Sequence, residues 1–238
     1  MKISVCIPMY NERKIIAKTA KSLSEYLQKH FDDYEILFYN DGSTDGSEEL
    51  VSHLDLPFVH IISELQNRGK GYAVRKAMLA ATGDIRLFLD ADLAYGTDVI
   101  ETICEAFAKN PDTDLVLGSR NLQKDGYEGY SLPRKIASKA YLRFLCLISG
   151  FHLSDSQCGC KAFSAKAAKD IFSRCEVDRF AFDFEAILWA DKLGYKMIEI
   201  PVKVLHHGSS KVHIVPDAFR MIKDLRAMKK RIRKADMH

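Results

Sequence analysis

Short β-branched and apolar runs alternate with helix-patterned segments through the first 118 residues, and this alternation constrains the fold more than any other feature of the chain. Residues 3–7, 35–39, 58–62, 85–89 and 115–117 read as strands. Between the first two, residues 12–30 place Ile15, Ile16, Thr19, Ala20, Leu23, Tyr26 and Leu27 at helical spacing. Residues 45–54, 71–82 and 97–109 read as further helices. The pattern predicts an α/β fold: a doubly wound, mainly parallel sheet followed by a less regular C-terminal half. Sheets of this kind take their ligands outside the carboxyl ends of the strands. The polar clusters Tyr10-Asn11-Glu12, Asn40 to Ser47, Asn67-Arg68-Gly69-Lys70-Gly71 and Asp90-Ala91-Asp92 all fall there. Beyond residue 119 the spacing predicts a loop at 126–130, helices at 133–149 and 182–193, a strand at 196–204, a loop at 206–211 and a last helix from about residue 216.

Composition removes several classes. With 47% hydrophobic and 28% charged residues in 238, the chain has too much apolar content for disorder and enough for a full core. A formal net charge of +3 does not make a nucleic-acid binder. The N-terminal run ends at Pro8 and is too short for a signal peptide. The most apolar stretch, residues 141–151, is interrupted by Arg143 and is about half the roughly 20 residues a membrane span needs. A cytoplasmic chain without a transmembrane helix is expected. The six cysteines are scattered, and Cys158-Gly159-Cys160 lacks zinc-site spacing, so buried, reduced thiols are expected. His206, His207 and His213 have no matching ligands nearby in sequence and are read as loop residues.

Asp90-Ala91-Asp92 is the sharpest chemical signal. Two carboxylates at the end of an almost wholly apolar strand repel each other unless a cation sits with them. A hard divalent ion, Mg²⁺ or Mn²⁺, suits them and keeps positions open for phosphate oxygens. The ordinary alternative is a pair of loop-capping carboxylates. Asp41 ends the second strand and could accept from a nucleotide base, whereas Ser43 to Ser47 read as a turn and helix cap. Glycines flanking Lys70 at a helix start suit phosphate. No GxxxxGK[ST] loop is present, which argues against a P-loop NTPase.

Taken in order, Ile7-Pro8-Met9-Tyr10-Asn11-Glu12, the Asp41-to-Ser47 run, Asn67 to Gly71 and Asp90-Ala91-Asp92 resemble family 2 glycosyltransferases with the GT-A fold. Leu117-Gly118-Ser119-Arg120, Arg134, Asp155 to Phe163, Phe182-Asp183-Phe184-Glu185 and Gly208 to Lys211 resemble the dolichyl- and polyprenyl-phosphate hexosyltransferases, the glucosyl branch above all. The resemblance implies one domain with a nucleotide-sugar half (1–120), an acceptor half (121–215) and a terminal helix (216–238). It implies that Pro8, Tyr10, Asn11, Glu12 and Asp41 hold the nucleoside, that Lys70 lies near the donor, and that Asp90, Ala91 and Asp92 form the metal turn, with Asp90 and Asp92 as ligands. Arg120, Arg134, Ser210 and Lys211 would meet the acceptor phosphate and the leaving diphosphate, and Asp155 and Gln157 would line the sugar pocket. Asp92, Arg120, Arg134 and Asp155 would thus carry the reacting centre. Many members carry Gln two residues after the second Asp, where this chain has Ala94.

The implied reaction is inverting transfer of a hexose, with UDP-glucose the favoured donor, to a polyprenyl phosphate. A phosphate monoester, with a second pKa of about 6, is already a nucleophile at neutral pH, whereas a sugar hydroxyl needs a general base. Asp155, Asp183 and Glu185 would be the candidate bases for a saccharide, teichoic-type or protein acceptor; a non-catalytic nucleotide-sugar binder is the third alternative. Residues 217–238 carry eight basic and three acidic residues around an apolar stripe, which suits either an anionic lipid surface or docking on the protein. A peripheral position at the cytoplasmic membrane face and a possible homodimer complete the expectations.

Overall fold

The computed structural model describes residues 1–126 and 153–205, together with Met228, Arg231 and Ile232. The strands are β1 (Ile3–Met9), β2 (Tyr34–Asp41), β3 (Val59–Glu64), β4 (Ile85–Leu89), β5 (Leu115–Ser119), β6 (Cys160–Ser164) and β7 (Met197–Pro201). The helices are α1 (Ile16–His30), α2 (Ser47–Ser52), α3 (Lys70–Ala80), α4 (Val99–Lys109), α5 (Ala165–Phe172) and α6 (Phe182–Lys192). A short 3-10 turn, Arg120–Leu122, follows β5.

The strands form one seven-stranded sheet in the order β3-β2-β1-β4-β6-β5-β7. β1 pairs in parallel with β2 and β4, β2 with β3, and β5 with β7. β6 runs antiparallel to both neighbours, β4 and β5. The sheet is therefore mainly parallel, as expected, with one reversed strand in its interior.

Period-two alternation divides the core between the two faces. Ile3, Val5, Ile7 and Met9 of β1 join Ile16, Ala20, Leu23 and Leu27 of α1 and Val99, Ile100 and Ile103 of α4 on one side. Cys6 of β1, with Leu37 and Tyr39 of β2, faces α3, α5 and α6 on the other. Cys6, Cys158, Cys160 and Cys175 are buried free thiols and Cys104 is half-buried, which matches the expected cysteine chemistry for those five.

Several boundaries differ from expectation. The first helix starts at Ile16 rather than residue 12, because the Glu12 carbonyl accepts from Ile15 and Ile16 in a separate turn. The helix expected over 45–54 shortens to α2, since Gly46 adopts left-handed backbone (φ 83°) just ahead of it. β6 and α5 lie where no element was assigned. A buried lysine interrupts the apolar run of β6, and Ser164, whose Oγ accepts from the Ala167 N–H, caps α5 immediately after the strand. The helices expected over 133–149 and from about 216, and the loop at 206–211, lie outside the described residues apart from three positions. Of those, Met228 is fully buried in the α3–α5–α6 core, Ile232 packs against it, and Arg231 Nη2 lies 2.5 Å from Glu185 Oε1. Among the described residues, no helix is long and apolar enough to cross a membrane.

Candidate active site

The chain reverses its direction of sheet growth at β1: β2 and β3 lie to one side and β4 to the other. Pairing of β1 with β2 extends to Met9–Asn40, but the pairing with β4 ends at Cys6–Phe88. The crevice of this topological switch point opens beside Pro8 and Asp90, where ligands of open α/β sheets bind.

One rim of the crevice is two loops fastened together. The Asn11 N–H donates to Ser43 Oγ (2.9 Å), the Glu12 N–H to Ser47 Oγ (2.9 Å), the Arg13 N–H to Asp45 Oδ2 (3.0 Å), and the Thr44 N–H to Asn11 Oδ1 (2.9 Å). Burial acts to raise the Asp45 carboxyl, but hydrogen bonds from Ser47 and Arg13 outweigh it and hold the acid below its ordinary value. The Ser43–Ser47 run was expected to cap its own helix. Asp45 does accept from the Ser47 N–H, yet most of these groups bind the β1–α1 loop instead. Asn11 takes left-handed backbone (φ 52°), which Asn tolerates better than most residues.

Asp41, at the end of β2, accepts from the Arg68 N–H, the Gly69 N–H and Asn67 Nδ2 at 2.8–2.9 Å. It therefore fixes the β3–α3 loop. The glycines of that loop are required by packing. A Cβ on Gly69 would meet the Asp178 carbonyl at 2.4 Å, and one on Gly71 the Val177 carbonyl at 2.4 Å. The Tyr72 N–H in the first turn of α3 already donates to Asp178 O (3.1 Å).

The acidic turn stands at the centre. The Leu93 N–H closes it onto Asp90 O (2.9 Å), with Leu93 in left-handed backbone (φ 47°), a conformation that costs a branched residue energy and persists where surrounding structure enforces it. Thr19 Oγ1 of α1 donates to Ala91 O (2.6 Å), and the Ala94 N–H donates to Asp92 Oδ1 (3.1 Å). Burial, followed by the charge of Asp90, raises the Asp92 carboxyl above its ordinary value. Asp90 Oδ1 lies 2.5 Å from Lys70 Nζ and is otherwise buried without a hydrogen bond.

The reversed strand reaches the same point from the other direction. Lys161 of β6 is fully buried, and its Nζ donates to Cys158 O (2.6 Å) and to Asp183 Oδ1 of α6 (2.7 Å). Gly159 lies against the Asp90 carboxylate, where a Cβ would stand 2.2 Å from Oδ2. Gly159→Ala is expected to push Asp90 out of place and to weaken nucleotide-sugar binding by about tenfold or more, the size of a 1.4 kcal/mol loss. Calorimetric titration of wild type and variant checks it. The sequence places Lys161 and Gly159 in the Asp155-to-Phe163 motif and Thr19 on the first helix, but assigns none of them a role. A lone lysine amid Cys160, Ala162 and Phe163 was a further signal.

Past β5, Arg120 is buried and bound to Asp155, with Nε–Oδ2 at 2.6 Å and Nη2–Oδ1 at 3.0 Å. The Gln157 N–H donates to Asp155 Oδ1 (3.1 Å), and Glu199 of β7 accepts from the Ser154 and Asp155 N–H groups. Burial acts to raise Asp155, but the guanidinium overrides it and holds the carboxyl below its ordinary value. Arg120, expected to meet a phosphate, is thus held by a carboxylate. Tyr10, Glu12 and Pro8 flank the crevice, with Tyr10 exposed. Arg134, Ser210 and Lys211 lie outside the described residues.

The acidic turn fits a divalent cation by the chemistry of its donors: two neighbouring carboxylates, of which Asp92 is raised by burial and by the charge of Asp90, while Asp90 Oδ1 has the ammonium of Lys70 as its partner. Among the described residues no group of three or more His, Cys, Asp or Glu gathers around a metal position. Two carboxylates completed by substrate phosphate oxygens are, however, a usual way of holding Mg²⁺.

A seven-stranded, mainly parallel sheet with one reversed strand and an aspartate turn at its switch point defines the GT-A class of glycosyltransferase. Residues 4–172 match the profile of glycosyl transferase family 2, and the chain belongs to that family. It is 32% identical to a dolichyl-phosphate beta-glucosyltransferase of Trichomonas vaginalis over 89% of this chain and 68% of that one. It is 31% identical to the dolichyl-phosphate beta-glucosyltransferase of Dictyostelium discoideum over 94% of this chain and 72% of that one. Among solved structures, glucosyl-3-phosphoglycerate synthase from Mycobacterium tuberculosis, in complex with Mn²⁺, UDP and phosphoglyceric acid, shares the fold at a TM-score of 0.72 and 19% identity, over 97% of this chain and 78% of that one. Mannosyl-3-phosphoglycerate synthase from Rubrobacter xylanophilus matches at a TM-score of 0.69 and 17% identity, over 100% and 76%. The protein is a family 2 glycosyltransferase resembling the dolichyl-phosphate glucosyltransferases.

Proposed function

We propose that the protein transfers glucose, with inversion, from UDP-glucose to a polyprenyl or dolichyl phosphate. One observation carries the choice of acceptor: the three carboxylates that could serve a hydroxyl acceptor as general base are all engaged. Asp155 is bound by Arg120, Asp183 by Lys161, and Glu185 by Arg231 and by the Glu176 and Val177 N–H groups. A cation beside a carboxylate favours its charged form and so opposes proton uptake; at Asp155 this outweighs burial, whereas at Asp183 and Glu185 burial outweighs it and raises the carboxyl. A phosphate acceptor needs none, because it arrives deprotonated. The names of the two relatives described above support the same acceptor and sugar.

On this reading, the fastened loops at Asn11 and Ser43 present Pro8, Tyr10, Glu12 and Asp41 to the nucleoside. Asp90 and Asp92 hold Mg²⁺ or Mn²⁺, which when bound supplies positive charge against the departing diphosphate. The Arg120–Asp155 pair acts as a rigid wall that orients Gln157 toward the sugar. Arg134, Ser210 and Lys211 receive the acceptor phosphate. Met228 and Ile232 face the protein core and Arg231 is paired with Glu176 and Glu185, so contact with an anionic membrane face falls to the basic residues of 217–238 other than Arg231.

Incubation with UDP-glucose or GDP-mannose and short polyprenyl phosphates, with and without Mn²⁺, tests the proposal. Glucose transfer to the lipid phosphate is the expected result. Transfer to saccharide hydroxyls with none to lipid phosphate would overturn it. Arg134→Ala is expected to raise the acceptor KM by about tenfold or more while leaving the donor KM near wild type, as for loss of a charge-assisted hydrogen bond worth roughly 1.5–3 kcal/mol. Steady-state kinetics with each substrate varied separates the two.

A further inference from the structure

The cluster behind the acidic turn holds two lysines of unlike character. Lys161 is fully buried, bonded to Cys158 O and Asp183, and fixed by β6 on either side of it. Lys70 is the first residue of α3, and its side chain is 28% exposed. Its backbone is held, because Gly69 and Gly71 pack against the carbonyls of Asp178 and Val177. Its flexible four-carbon stem is not confined in the same way. The ammonium reaches Asp90 Oδ1 at 2.5 Å and lies 5.9 Å from the centre of the Phe182 ring.

We propose, on the reading that Asp90 and Asp92 hold a divalent cation, that Lys70 gates this site: its ammonium occupies Asp90 until a nucleoside diphosphate draws it away. A cation approaching the turn without nucleotide meets Asp90 already neutralised, and is repelled by the ammonium that neutralises it. A diphosphate changes both conditions. Its anionic oxygens compete with Asp90 for Lys70, and they complete a ligand set that two aspartates leave open. Asp183 is already paired with Lys161 through its Oδ1. Cation and nucleotide therefore bind cooperatively, each tightening the other by the same factor. Lys70 is on this account a positioning residue whose effect is read in binding.

The test is titration of the whole protein with Mn²⁺, followed by electron paramagnetic resonance, with and without UDP. In wild type, UDP is expected to tighten Mn²⁺ by about 30-fold or more, within the usual range of coupling between sites. In Lys70→Met, Mn²⁺ alone is expected to bind about tenfold tighter than in wild type, and the UDP effect to shrink to about threefold. Lys70→Arg, which keeps the charge, retains coupling of the wild-type sign. Lys70→Gln replaces the Met variant if its melting curve shows a loss of fold. Unchanged Mn²⁺ affinity and unchanged coupling in the neutral variant would overturn the gate while leaving the metal site standing. Weaker Mn²⁺ binding in that variant would likewise overturn it. Absence of Mn²⁺ binding to wild type, with or without UDP, would overturn the metal site itself and the gate with it.

Discussion

Asp92→Ala is expected to lower turnover by a factor of about 100 to 1,000 or more, the loss that follows when one preorganised electrostatic partner of a developing anion is removed. The same change leaves the fold intact. Asp92 is half-buried and accepts a hydrogen bond from the Ala94 N–H, and burial and Asp90 both act against its charge. Removing it relieves repulsion, so the melting temperature is expected to stay within about 2 °C of wild type or to rise slightly, as for changes within about 0.5 kcal/mol. UDP release assayed beside a circular-dichroism melt measures both quantities. Full activity in the alanine variant would remove Asp92 from the reaction. A large fall in melting temperature would show that the turn is built for stability instead.

Asp155→Ala is expected to behave in the opposite way. Its carboxylate is buried and takes two bonds from the Arg120 side chain, one from the Arg120 N–H and one from the Gln157 N–H. Alanine leaves a buried guanidinium without its anion, a loss of about 3–5 kcal/mol, equivalent to roughly 10 °C in melting temperature for a chain of this size. Arg120→Met combined with Asp155→Ala is expected to recover much of that, because an apolar pair has no charge to desolvate. The effect depends on pH with a definite sign. The folded carboxyl lies below its ordinary value, so its stabilisation is complete above the unfolded value and is lost as pH falls through the folded one. Denaturant melts at neutral pH should separate wild type from variant widely, and melts at strongly acidic pH should bring them together.

The parts of this fold legible in the sequence were those governed by local periodicity. β4 was read at its observed limits, and the order of strands and helices to β5 follows the alternation of apolar runs. The four polar clusters could be placed at strand ends because a parallel sheet puts all those ends on one rim. What could not be read were contacts between segments distant in sequence. Nothing local to Ser43 or Asp45 says that they bond to residues 11–13 instead of their own helix. Nothing local to Arg120 says that Asp155, 35 residues on, consumes its charge. Gly69 and Gly71 fit a phosphate loop on sequence alone, and that they also allow close approach to the Asp178 and Val177 carbonyls is visible only in the tertiary packing. β6 escaped notice because a buried lysine breaks its apolar run, and that lysine is satisfied by a helix more than 20 residues away.

The reversed direction of β6 has a topological consequence. β5 ends at Ser119 on the ligand rim, and β6, running the other way, begins at Cys160 on that same rim. Ser119 and Cys160 therefore stand on one rim of the sheet, the rim that carries Asp90. A chain that leaves and re-enters a sheet on one rim needs no strand re-threaded when the length between those two points changes. Its last residue, Gly159, lies against the Asp90 carboxylate, so the point at which the chain re-enters the sheet is also the point at which it touches the acidic turn.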